Sequence, residues 1–241
     1  MFHNNKRMQN IWIVKIPENY TVLTKHRLLE KLPNPNYGYL MGAYLLLSNK
    51  NSFYGNFEQA KRYMRLAENV YNKNKAEIDR DTWELNGNHH RLGVIAKYRK
   101  IYMLCGLSET PKDSLALVNT MKALDEMHRQ PSFHKEERIY YSTALNHIGN
   151  WFVSHKHDSL TTSKDVSVGL KYLLRAHYLT DERGYSGSRW SIKYNLAKAF
   201  IRGNKLEKAD STMVVLFNGI SETDGKLPFF FAQKALIKAK K

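Results

Sequence analysis

The feature that most constrains this chain is the spacing of its apolar residues. Almost everywhere they recur at intervals of three and four, the period of a helix with one buried face. Phe57, Ala60, Met64, Ala67 and Tyr71 form one such stripe, with Glu58, Lys61, Arg62 and Arg65 around it. Asn56 stands in front as the expected N-cap and Gln59 follows three later, which predicts a helix to about Asn72. Leu115, Val118, Ala123 and Met127 mark a second, opened by Thr110 and Pro111. Further helices are predicted over Ile139 to Val153, Val166 to Leu179, Trp190 to Arg202 and Leu206 to Phe217, with a last one after Pro228. Ile11 to Ile16 is the one short strand candidate.

Polar stretches separate these helices: Ser48 to Gly55, Asn74 to Thr82, Gly106 to Thr110, Gln130 to Ser132, Ser154 to Lys164, Asp181 to Ser188 and Ser221 to Lys226. None has the composition of a long flexible linker. The organisation read from this is an irregular segment over residues 1–35, then one helical domain over residues 36–241. Gly203-Asn204 is so short a connection that its two helices must be antiparallel neighbours.

Successive helical hairpins call for a repeat search. The clearest unit is Tyr194-Asn195-Leu196-Ala197-Lys198-Ala199-Phe200, then Gly203-Asn204, then Leu206-Glu207-Lys208-Ala209. Ala197 and Ala209, twelve apart, are small residues that let two helix backbones approach. Small residues seven apart recur in other second helices: Ala60 and Ala67, Ala116 and Ala123, Gly169 and Ala176. Met41-Gly42, Leu92-Gly93 and Ile148-Gly149 are the counterparts in first helices. The unit resembles the tetratricopeptide repeat; in the other units the loops are longer and the period irregular. The resemblance covers roughly residues 36–241.

It implies an all-α fold, a right-handed superhelical stack of four to five antiparallel hairpins forming an α-solenoid. First helices would line a concave groove that binds an extended peptide or a partner helix. Projected onto this chain, the groove positions are Tyr39, Ala43, Leu46, Asn146, Asn150, Tyr194, Lys198 and Arg202. Bacterial regulators that resemble this use such a stack as a sensory or adaptor region joined to an output domain. No output domain is legible here, and the final helix reads as a cap or as the cut end of a longer ancestor.

No motif of an enzyme is visible: no Gly-x-Ser-x-Gly elbow, P-loop or dinucleotide glycine motif. The expectation is a non-catalytic protein with no cofactor and no metal. His89-His90 beside Glu84, and His155-Lys156-His157-Asp158, lack the spacing of a zinc site. Cys105 follows Tyr102-Met103-Leu104 and reads as a buried structural thiol. One cysteine permits no internal disulfide, and no apolar run spans a membrane, so a cytoplasmic setting is expected. The chain carries 38 Lys and Arg against 22 Asp and Glu, a net charge of +16. That excess leaves open an acidic protein partner, an anionic surface or nucleic acid. Ala96-Lys97-Tyr98-Arg99-Lys100 mixes cations with an aromatic ring, the composition of a nucleic-acid contact. A basic helical-repeat nucleic-acid binder is therefore the alternative to the peptide-binding module.

Overall fold

A computed structural model describes residues 36–79, 82–85, 88–107, 111–133, 137–154, 161–181, 186–218 and 227–240. The segment 1–35, with its strand candidate, lies outside them. The described residues are predominantly helical: α1 (Tyr37–Phe53), α2 (Phe57–Lys73), the single turn α3 (Lys75–Ile78), α4 (Leu92–Leu107), α5 (Pro111–Arg129), α6 (Arg138–Val153), α7 (Ser163–Asp181), α8 (Ser186–Arg202), α9 (Leu206–Phe217) and α10 (Leu227–Lys240). Between α3 and α4 runs an antiparallel pair, β1 (Thr82–Leu85) and β2 (Asn88–Arg91), in register Thr82 with Arg91 and Leu85 with Asn88. The fold among the described residues is otherwise all-α, as expected, and this short pair is an addition to it. No helix among the described residues is long and apolar enough to cross a membrane.

The chain groups into two compact units. The first runs to Met103 and adds residues 129–137; the second holds 104–128 and everything from Arg138 onward.

In the first unit α1 and α2 form an antiparallel hairpin. Asn36 caps α1, its Oδ1 accepting from the Tyr39 N–H at 3.0 Å. Asn56, the expected cap of α2, makes no side-chain cap bond. Instead the turn itself satisfies the helix ends. Tyr54 N–H donates to Lys50 O, Gly55 N–H to Ser52 O and Asn56 N–H to Asn51 O, with Gly55 at φ +77°. Hence α1 does not stop at Ser48, where a polar loop is expected, but runs on to Phe53, just before this glycine. The buried stripe of α2 is the expected Ala60, Met64, Ala67 and Tyr71.

The second unit contains the same turn. Gly203 N–H donates to Ala199 O, Asn204 N–H to Ile201 O and Lys205 N–H to Phe200 O, with Asn204 at φ +53°. These three bonds and the left-handed position recur residue for residue in the two turns. The register extends into the helices: Ala60 and Met64 of α2 match the buried Ala209 and Met213 of α9. Carried back across the turn, this register matches Ala197 to Ser48, not to Gly42. Ser48 is 1% exposed, and its hydroxyl donates to the Ala60 carbonyl at 2.8 Å, which makes it the small residue at the helix contact.

Elsewhere in the second unit α6 and α7 approach through Gly149 and Gly169. A Cβ on Gly169 would sit 2.6 Å from the Gly149 carbonyl oxygen and 2.6 Å from Val153 Cγ2. Thr162 and Asp165 open α7 with a capping box: Asp165 N–H donates to Thr162 Oγ1 (3.2 Å), and Asp165 Oδ2 accepts from Thr162 N–H (2.9 Å). This starts the helix before the expected Val166. Asp125 of α5 accepts from Tyr141 of α6 and from Arg175 of α7 at 3.1 Å, tying three helices through one carboxylate. The central helix is α8, which packs on α6, α7, α9 and α10. Its Leu196, Ala197, Phe200 and Ile201 share a core with Leu173, Ala209, Met213, Leu216 and Ile237. Burying side chains of this size stabilises by about 1.5–3 kcal/mol each for the larger ones.

Candidate partner-binding site

Five of the six principal site residues expected from sequence lie on α6 and α8, adjoining first helices of the second unit. Asn146 is buried at 3% exposure. Its Nδ2 donates to Ser191 Oγ at 3.1 Å, and its Oδ1 accepts from Asn195 Nδ2 at 2.9 Å. Its amide therefore fastens α6 to α8 and does not line an open face. Asn150, one turn on, is half-buried and accepts from Ser154 Oγ at 3.3 Å. Tyr194 is half-buried and its hydroxyl accepts from Gln233 Nε2 of α10 at 3.3 Å. Lys198 and Arg202 are half-buried on the same side of α8, one turn apart, and both interact with neighbours. On α8 Tyr194, Lys198 and Arg202 follow one another a turn apart, with Gln233 reaching Tyr194 from α10.

In the first unit the corrected register moves the site. Ala43 is 1% exposed and belongs to the core; Leu46 is 37% exposed; Tyr39 is half-buried near the start of α1. The position matching Lys198 is Asn49, which sequence reasoning missed because it aligned Gly42 where Ser48 belongs. Asn49 borders a cleft with Leu45, Ser48 and Ser52 of α1, Met64 of α2, and Arg99, Tyr102 and Met103 of α4. The cleft holds a cavity of about 10 Å³, room for a single water. The Arg99 guanidinium lies 5.6 Å from the Tyr98 ring centre and has no carboxylate partner among the described residues. A planar five-donor group and an amide that both donates and accepts thus line the same cleft. This places Arg99, from the basic-aromatic stretch, at a cleft and not on an open stripe.

The remaining polar clusters are tied up internally. Tyr71 donates to Asp79 Oδ1 at 2.9 Å, Lys75 pairs with the same carboxylate, and Lys97 Nζ sits 4.6 Å from the Tyr71 ring centre. Burial and the Asp79 charge push the Tyr71 phenol above its ordinary pKa, and burial lowers that of Lys97. Gly93 is needed there, since a Cβ would lie 2.6 Å from Asp79 Oδ1. It packs against this cluster, which corrects its reading as a hairpin-contact glycine. Arg91 grips Glu137 through its backbone N–H (2.8 Å), Nε (3.0 Å) and Nη2 (2.8 Å), and Glu137 is fully buried.

The chain matches no family model, no curated protein and no solved structure. Its site must therefore be read from its own geometry. Cys105 is half-buried, and burial raises its thiol pKa, so the thiolate a nucleophile needs is disfavoured. Among the described residues no group of three or more His, Cys, Asp or Glu converges. The strand pairing sets Glu84 opposite His89, but those side chains, and the whole of His155 to Asp158, lie outside what the structure describes.

Proposed function

We propose that this protein is a non-catalytic interaction module of tetratricopeptide type, which holds a peptide or a partner helix against its first helices. The observation that carries the reading is the recurrence, with the same three backbone bonds, of one hairpin turn and its helix register at residues 50–60 and 199–209. A recurring hairpin argues for a repeat architecture, and repeat architectures present extended side-chain rows as binding surfaces. In this reading Asn150, Tyr194, Lys198 and Arg202 belong to a face of the second unit, and Asn49 and Arg99 to a separate face of the first. The reading extends to a right-handed superhelix and to an adaptor role in signalling.

The test is affinity capture with mass spectrometry, comparing the native chain with a Tyr194→Ala/Lys198→Ala/Arg202→Ala variant and with Asn49→Ala/Arg99→Ala. Far-UV circular dichroism checks that each variant stays helical. Loss of the same specific protein partners in a folded variant supports the reading. Retention of every partner in both variants overturns it. Tight oligonucleotide binding that falls steeply with added salt would put the nucleic-acid binder in its place.

A further inference from the structure

We propose that the outward face of α10 is a second docking surface, one that receives an acidic amphipathic helix of a partner protein. The case begins with which side of α10 is covered. Ile237 is fully buried, and Gln233 reaches Tyr194 of α8. On the opposite side, at helical spacing, Phe231, Ala232, Ala235, Leu236 and Ala239 are all exposed, Phe231 at 59% and Leu236 at 42%. A helix that is apolar on its outer face as well as its inner one is built to be covered twice. The apolar surface reaches α9, where the Phe217 ring lies 5.2 Å from that of Phe231.

Two observations define the occupant. The first is the size of the residues. Three of the five are alanines, which add little apolar area but let another backbone come close, as small residues do inside this chain at Ala60 and Ala209, both fully buried beneath a neighbouring helix. A lipid surface gains little from alanine; a helix gains close contact. The second is charge. Lys238 and Lys240 flank the apolar strip, both are exposed, and neither pairs with a carboxylate among the described residues. Lys234 adds a third charge, 4.8 Å from the Phe217 ring centre. No acid occurs anywhere in α10. A second copy would bring like charges together across the contact, whereas a helix edged with Glu or Asp would neutralise them.

The experiment uses the full chain and a fluorescein-labelled synthetic helix with Leu and Ala on one face and Glu along both edges. A control peptide has Lys for every Glu. Anisotropy should show binding of the acidic peptide only, weakened by added salt. Leu236→Glu should raise its Kd at least about tenfold, as loss of a central contact does. Lys238→Glu should weaken it as well, and both sites are exposed, so the fold should hold. Lys198→Ala should leave Kd unchanged, which separates this surface from the face proposed above. Equal binding of the two peptides, or an unchanged Kd in Leu236→Glu, overturns the proposal. So does a dimer in sedimentation equilibrium that Leu236→Glu dissolves, or flotation with phosphatidylserine vesicles abolished by Leu236→Glu with no peptide binding.

Discussion

Gly169→Ala should destabilise the second unit, although the same exchange in an ordinary helix stabilises it. Gly169 lies inside α7, where alanine is favoured by about 1 kcal/mol through helix propensity. Against this stands the contact. The new Cβ would meet the Gly149 carbonyl oxygen and Val153 Cγ2 at 2.6 Å each and Phe152 Cβ at 3.1 Å, well inside ordinary contact, which begins at 3.4 Å. The valine tip can rotate, but the carbonyl is backbone and moves only if α6 and α7 part. Overpacking costs about 1–3 kcal/mol, and a backbone obstacle belongs at or above the top of that range. The net expectation is a loss of about 2 kcal/mol. Urea unfolding followed by far-UV circular dichroism measures it; with a slope of about 2–3 kcal/mol/M the midpoint should fall by roughly 0.7–1 M. A midpoint that stays or rises would mean that α6 and α7 do not touch backbone to backbone, and the reasoning from small residues to helix contact would fail with it.

Three further outcomes follow from the same geometry. Glu137→Ala leaves the Arg91 guanidinium, 12% exposed, without its carboxylate and should cost about 3–5 kcal/mol in urea unfolding, much of which Arg91→Met/Glu137→Met should restore. Gly55→Ala should cost about 1–2 kcal/mol, because it forces a left-handed φ on alanine with no steric contact involved; Gly55→Asn should cost less, since asparagine holds that conformation in the sister turn at Asn204. Burial lowers the His147 pKa from 6.5 to about 4, so the folded state favours the neutral ring. Between those two values the unfolded chain binds the extra proton, so this group's contribution, fully present above pH 6.5, should be lost as pH falls toward 4. Thermal unfolding against pH in native chain and His147→Gln should show a shallower acid-side decline in the variant.

How much of this was legible in the sequence depended on the range over which each signal acts. The α2 stripe and the bounds of α9 were readable because helix periodicity is local, and so was the Gly203-Asn204 turn. Its sister turn was not, since Ser48 looks polar; its hydroxyl counts as small and satisfied only once the Ala60 carbonyl is known to accept from it. The β1–β2 pair did have a local signal, Asn86-Gly87 between two four-residue segments, the dipeptide that favours two-residue hairpins. That signal stands alone, because those segments, Thr-Trp-Glu-Leu and Asn-His-His-Arg, carry too little apolar alternation to read as strands. Asn146 and Glu137 show the deeper limit. Sequence places Asn146 on the groove face, yet it is buried, as is Glu137, because the groups that satisfy them lie 45 to 49 residues away on other elements. A polar side chain's placement depends on whether such distant partners exist, and that is a property of the packed helices. The same logic governs Asn49 and Arg99: what recommends them is that packing has brought them to one cleft while leaving them without a side-chain hydrogen bond or a carboxylate partner among the described residues.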